Sequence, residues 1–518
     1  MESVNKNQTK DANLNRPFTE CELVIGLVGA VGTDLTDISS KLTNRLSHFG
    51  YNAIQVRVSK DVLEQSFDIP PMKAKSESER VNHLMDIGNM ARKKAGDGSI
   101  TAMGAAAVIN QYRPQDEDAS GRFKPRTAYI VSSLKHPDEV ACLRSIYSHG
   151  FFLIGVYSDE ERRRGYLVNV KQMSEKEAAD LIARDMDEHL PYGQSTSETF
   201  HLSDFFVRIG SDSDRTQSDL WRVLDLMFGN PKITPTFDEF AMFMAFSSSL
   251  RSADLSRQVG AVITRNHEII GTGANDCPRY GGGQYWPYYD EQKKHMVDFP
   301  EGRDHTRGFD SNKAEKDKII EDIVSHLGEL SVDKEVTRKV LNSSGISDIT
   351  EYGRVVHAEM DALLSCARNG MDSLGATLYC TTFPCHNCAK HIVSAGIKRV
   401  VYVEPYPKSK AADLHGDSIH LGFTKRKGVV KFEPFIGVGP RRFFDLFSMS
   451  LGSGYPLSRK DDKGLAIPWT PDPKVKLRTQ LLPFSYLDVE DWAANRFSEF
   501  LEEITNERQQ GTEGEVKE

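Results

Sequence analysis

The 518-residue chain has no apolar run approaching the roughly 18 residues a membrane-spanning helix needs. Met1 to Arg16 is rich in Asn, Lys and Asp and lacks the apolar stretch of a secretory leader, so a cytoplasmic protein with no membrane partner is expected. A basic excess is missing too. Against 74 Asp and Glu stand 65 Lys and Arg, a formal net charge of −9. That balance argues against a broad electrostatic grip on nucleic acid but leaves room for local phosphate pockets. Cysteine is sparse: Cys21, Cys142, Cys277, Cys366, Cys380, Cys385 and Cys388 form an odd, scattered set that suits a reduced interior better than a disulfide framework. With 39% hydrophobic and 27% charged residues, the chain reads as globular, with roughly two to four domains.

Strands alternating with helices predict an α/β architecture throughout. A polar lead over 1–20 precedes a buried-type strand at Leu23 to Val28, a Gly-rich turn, and a helix with Leu35, Ile38, Leu42, Leu46 and Phe49 at helical spacing. Further buried strands read at 127–134, 151–158 and 204–210, which together predict a parallel-sheet domain over 21–230. Gly and Pro in GNPKITPT mark a boundary. A second α/β domain is expected over 236–450, with a polar insertion at about 280–352, followed by a C-terminal extension over 451–518 that ends in a charged tail.

The turn after the first strand lacks something specific. A phosphate-cradling P-loop needs glycines, a Lys for the β and γ oxygens, and a Ser or Thr for Mg²⁺. Here Gly29, Gly32 and Thr33 are present, but Leu35 stands in the Lys slot and Asp34 replaces the second fixed Gly. The strand TAYIVSSL ends in Ser132 and Ser133, with no Asp to hold a metal. Nucleotide binding through Gly29, Gly32, Thr33 and Asp34, without phosphoryl transfer, is the expectation; a scaffold that only builds an oligomer is the competing one.

VVHAEMDALL, and 24 residues after its Glu359 the stretch FPCHNCAKHI, carry the strongest chemical signal. A hydrolytic zinc site takes three protein ligands and one open position. His357, Cys385 and Cys388 supply the three, with both thiolates at a helix N-terminus, where the dipole favours negative sulfur. Glu359 is left beside the ion as a general acid/base. H-x-E followed by P-C-x-x-C is the signature of zinc deaminases.

From about 240 to 425 the chain resembles the deoxycytidylate deaminase branch of the cytidine deaminase superfamily, through RSADLSRQVGAVIT, GTGANDCPR and LYCTTFPCHNCAKHIVSAGIKRVVYVEPYPKS. The resemblance implies a three-layer α-β-α fold, Zn²⁺ on His357, Cys385 and Cys388, and proton transfer by Glu359. It also implies that Asn275 contacts the sugar and that Arg251, Ser252, Lys408 and Ser409 lie near the phosphate. Asp361 departs from the Asn common in relatives and reads as an exposed helix residue. Cys277 is a second departure, and with His295 or His305 it offers a second structural zinc site.

The first domain resembles the P-loop nucleoside- and nucleotide-kinase group through LKHPDEVACLRSIYSHGFFLIGVYSDEERRRGYL, where Arg162, Arg163 and Arg164 suggest a phosphate clamp. The two halves together look like the bacterial antiphage dCTP/dCMP deaminases. That likeness implies deoxycytidine nucleotides as substrate, a regulatory nucleotide at the first domain, a homo-oligomer, and an inhibitory partner, RNA or protein. The alternatives are a deaminase of tRNA or single-stranded DNA, a housekeeping dCMP deaminase supplying dUMP for thymidylate synthesis, and a nucleotide-sensing assembly whose zinc is structural.

Overall fold

The computed structural model describes residues 21–65, 76–114, 123–186, 193–329, 332–349, 351–406, 409–423, 426–479, 481, 490–491, 494–495, 497–502 and 504–505. The expected polar lead and the charged tail beyond 505 lie outside them. The chain divides into two compact units, 1–236 with 436–518, and 237–435.

In the first unit, β1 (Leu23–Gly29), β2 (Asn52–Arg57), β3 (Thr127–Ser132), β4 (Phe151–Ser158) and β5 (Phe205–Ile209) pair in parallel in the order β5-β4-β1-β3-β2. Every residue of β1 is buried, as expected of a parallel strand covered on both faces. Leu23, Ile25 and Leu27 enter one core, while Val24 and Val28 enter the other. The expected α/β domain is therefore present.

Its boundary departs from the sequence reading. Residues 436–450, expected in the second domain, belong to the first unit, and so does the stretch beyond 451 expected as a separate extension. A two-residue strand, Gly437–Val438, pairs antiparallel with β5, and Val438, Leu446 and Leu477 complete one core. Leu481, Phe497, Phe500 and Ile504 complete the other. Arg113 is buried in ion pairs with Glu22 and Glu490, which ties this return segment to β1.

The second unit is built on a six-stranded mixed sheet. Its strands β6 (Gly260–Arg265), β7 (Glu268–Ala274), β10 (Thr377–Thr382), β11 (Arg399–Glu404), β12 (Ile419–Leu421) and β13 (Val430–Pro434) run in the order β12-β13-β11-β10-β6-β7. A small hairpin of β8 (Tyr288–Asp290) and β9 (His295–Val297) stands apart from that sheet. Glycines show how closely the helices lie on it. A Cβ on Gly260 would sit 2.5 Å from Ser249 N, in the helix Phe237–Ser249. On the opposite face, a Cβ on Gly273 would fall 2.4 Å from Ala362 N, in the helix Ala358–Arg368. Helices thus cover both faces in three α-β-α layers, as expected.

Candidate metal centre and active site

Two helix N-termini meet beyond the C-terminal end of β10, in the middle of the second sheet. His357 is the N-cap residue of the helix Ala358–Arg368, and Cys385 is the N-cap of the helix His386–Ser394, with its sulfur accepting the Cys388 N–H at 3.5 Å. His357 Nδ1 lies 3.4 Å from the sulfur of Cys385 and 3.4 Å from that of Cys388. All three donor atoms fall within 4.8 Å of one another. Tetrahedral zinc, with bonds of about 2.3 Å to sulfur and about 2.1 Å to nitrogen, would place such donors roughly 3.6 Å apart, so the set fits zinc.

The three donors perturb one another strongly. The hydrogen bond to Cys385, and then the charges of Glu359 and Cys385, push the His357 imidazole up to about 9 against the effect of burial. The Cys388 hydrogen bond, and behind it His357, pulls the Cys385 thiol down to about 4, while Cys388 is driven up by the same hydrogen bond and by burial. Zinc binds thiolates and a neutral imidazole, so its binding releases the protons these donors hold, and affinity for the ion drops as the pH is lowered. Glu359 is 4% exposed, and burial raises its carboxyl above the ordinary range.

A cavity of about 310 Å³ opens on this centre, lined by His357, Glu359 and Cys385. Asn275 lines it as well, but its amide is held by the chain itself: Oδ1 accepts the Val259 N–H at 2.6 Å and Nδ2 donates to Arg257 O at 2.8 Å. Arg251 and Ser252 are not among the cavity's lining residues. The Arg251 guanidinium stacks on Trp286 at 3.9 Å, and the Ser252 hydroxyl donates to Asn275 O at 2.6 Å. Ser409 donates to Pro384 O at 2.8 Å, fastening the turn before Cys385, and Lys408 lies outside the described residues.

Sequence reasoning passed over Arg257, His386 and Lys410, which also line the cavity. His386 Nδ1 is shielded from solvent with no hydrogen-bond partner. It sits inside the Cys-x-x-Cys stretch, where attention went to the sulfurs. Asp304, Asp310 and Asn312 reach the cavity from the insertion, where the sequence offered only a helix over 315–330, matched by the observed helix Ser311–Glu329, and no site residue.

Two expectations need correction. Asp361 is 5% exposed rather than on the surface, and its Oδ2 accepts the Ala274 N–H at 3.4 Å. It falls on the helix face turned toward the end of β7, and its carboxylate is held there by the Ala274 N–H. No second zinc group forms: among the described residues, His357, Cys385 and Cys388 are the only set of three donors close enough for a metal. Cys277 is buried with its thiol pushed up by that burial, His295 is exposed and bonded to Lys293 O, and His305 faces Asp298 at 3.4 Å.

In the first unit, Gly29, Gly32 and Thr33 line a cavity of about 500 Å³, with Gly32 at φ +85°. Asp34 does not line it; it caps the helix Leu35–His48 by accepting the Thr36 and Asp37 N–H groups at 3.2 Å each. Arg163 donates to Val31 O at 3.1 Å, and Arg164 pairs with Glu160. Arg162 is exposed, and none of the three arginines lines the cavity.

Residues 235–404 match the family described as "Cytidine and deoxycytidylate deaminase zinc-binding region". The deoxycytidylate deaminase of Enterobacteria phage T4 is 37% identical over 169 residues, 32% of this chain and 77% of that protein. The chain belongs to the cytidine and deoxycytidylate deaminase family. The human deoxycytidylate deaminase is 26% identical to this family member over 196 residues, 37% of this chain and 80% of the human one. A crystal structure of the dCMP deaminase from cyanophage S-TIM5, at 19% identity, covers 39% of this chain and all of its own, with a TM-score of 0.22, too low to add to the assignment. This deaminase is thus a zinc-binding hydrolase of the α/β class. Among its described residues no helix is long and apolar enough to cross a membrane.

Proposed function

We propose that this deaminase hydrolyses the 4-amino group of a free deoxycytidine nucleotide, dCMP or dCTP, giving the uracil nucleotide and ammonia. The observation that carries the reading is the buried Glu359 carboxyl in the same cavity as the His357, Cys385 and Cys388 donors. Zinc, when bound, supplies Lewis acidity that lowers the pKa of a water to about 7. Glu359 would take a proton from the attacking water and return it to the departing amine, a role suited to a carboxyl whose pKa burial has raised. Arg257, His386 and Lys410 are the polar groups we assign to the sugar and phosphate, since Arg251 is committed to Trp286. The acidic wall of Asp254, Asp304 and Asp310 disfavours a polynucleotide backbone in the same cavity.

We further propose that the first unit binds a regulatory nucleotide without turning it over. The resemblance of the whole chain to antiphage deaminases supports depletion of dCTP during phage infection as the biological role. The test is incubation of the zinc-loaded protein with dCMP, dCTP, CTP and a cytosine-containing oligonucleotide. Conversion of the free deoxynucleotides supports the reading; conversion of the oligonucleotide alone overturns it. Plaque counts on cells expressing the wild type or Glu359→Gln test the defence role, which equal protection by both would contradict.

A further inference from the structure

The cavity in the first unit has a charge opposite to that of the chain around it. Six cationic side chains line it, Arg57, Lys60, Arg80, Arg92, Lys135 and Lys171, against the three carboxylates Glu64, Glu77 and Glu139. Arg80, Arg92 and Lys171 pair with these carboxylates and Lys135 with Asp185, which still leaves a net positive lining, favourable to an anion, in a protein of net charge −9. At about 500 Å³ the cavity is within the range of small-molecule sites. Thr33 Oγ1, on the Gly-rich loop, is shielded from solvent and has no hydrogen-bond partner.

Leu35 occupies the sequence position where a P-loop carries its lysine, but a cation reaches the loop from elsewhere. Lys135, three residues beyond β3, brings Nζ to 3.0 Å from Gly29 O. Its charge is met by Asp185, 0% exposed in the last turn of the helix Glu175–Met186. Asp185 Oδ1 accepts from Lys135 Nζ at 2.9 Å and from the Thr196 hydroxyl at 3.1 Å, while Oδ2 accepts the Val31 N–H at 2.7 Å. An ammonium, a hydroxyl and a loop amide thus converge on one carboxylate. The ammonium and the loop amide also suit a phosphate, whose oxygens accept from Lys and from loop N–H groups in the same way.

We propose that this cavity takes the phosphate end of a nucleoside phosphate, that Lys135 supplies the missing cation, and that Asp185 holds the phosphate's place until the ligand displaces it. This rests on the reading of the first unit as a nucleotide binder. An internal carboxylate competing for the donors lowers apparent affinity by the fraction of time it occupies them. Weakening the carboxylate must therefore tighten binding, and removing the lysine must weaken it. A pair that only stabilises the fold would do neither.

The experiment is isothermal titration of the full-length protein with ATP and with inorganic tripolyphosphate, using wild type, Lys135→Met and Asp185→Asn, each checked for folding by circular dichroism. We expect ATP to bind more tightly than tripolyphosphate, Asp185→Asn to tighten ATP by about tenfold or more, and Lys135→Met to weaken it by about as much. Should Asp185→Asn not fold, Thr196→Val, which removes one donor holding Asp185, must shift affinity in the same direction by a smaller factor. Absence of ATP binding in wild type and Asp185→Asn alike would overturn the reading of the first unit as a nucleotide binder. Equal ATP binding by all the proteins would keep that reading and overturn the assignment of Lys135 and Asp185. Equal affinity for ATP and tripolyphosphate would overturn the nucleoside part of the proposal.

Discussion

At the scale of single residues, His386 and Gly273 give the sharpest expectations. His386 Nδ1 is a shielded, unpartnered polar atom on a residue lining the second unit's cavity, and a substrate that hydrogen-bonds to it would satisfy it. His386→Ala should raise KM by about tenfold, the worth of one such bond, and leave kcat within a few-fold, as steady-state ammonia release will show. Gly273 faces the opening of the helix that carries Glu359. A Cβ there would meet Ala358 O and Ala362 N, and backbone cannot swing aside as a flexible side chain does. Gly273→Ala should therefore cost about 1–3 kcal/mol in thermal unfolding and lower kcat by displacing Glu359.

At the scale of elements, an ion-pair cluster joins the outer helix of the second unit to its sheet. Asp238, in the first turn of the helix Phe237–Ser249, receives two hydrogen bonds from Arg399 on β11, at 2.9 and 2.8 Å, and the Tyr379 hydroxyl from β10. Burial acts to raise the Asp238 carboxyl, but the hydrogen bonds and charge of Arg399 outweigh it and hold the group below its ordinary value. A carboxylate depressed on folding stabilises the fold above its unfolded pKa of about 3.9, and that stabilisation is lost as pH falls through the lower, folded value. Asp238→Asn should accordingly lower the unfolding temperature at pH 7, with the gap to wild type closing as pH drops below about 4. A gap that stays constant with pH would contradict the assignment.

The metal donors of the active site were legible in the sequence because they stand in a motif of fixed spacing. The His-x-Glu and Cys-x-x-Cys spacings survive as structure. What stayed hidden depends on tertiary contact. That Asp361 is buried depends on the helix packing against the end of β7, where Ala274 N–H meets its carboxylate, and that Arg251 stacks on Trp286 depends on how the insertion folds back. Neither fact has a local signature in the chain. The two-residue strand Gly437–Val438 is too short for any period to reveal, so the return of the chain into the first unit could not be read.

At the scale of the molecule, that return makes the first unit depend on both ends of the chain. Leu477, Leu481, Phe497 and Phe500 are at most 3% exposed in its cores, and Glu490 shares the buried Arg113 with Glu22. Truncation after 435 would strip apolar cover from both faces of the first sheet and leave Arg113 with one carboxylate fewer. Losing one partner of a buried ion cluster costs about 3–5 kcal/mol, before the lost core is counted. The truncated chain should be cleaved by trypsin within 1–236 far faster than the full chain, while a fragment covering 237–435 resists.

The claim on which the rest depends is that Glu359 moves the proton beside a zinc held by His357, Cys385 and Cys388. The most direct measurement is ammonia release from dCMP by zinc-loaded wild type and by zinc-loaded Glu359→Gln, with zinc content determined on the same samples. The expected result is equal zinc in both proteins, about one ion per chain, and a kcat for Glu359→Gln lower by about 10²–10⁴. Equal turnover by both, or intact dCMP after incubation with zinc-replete wild type, would contradict it.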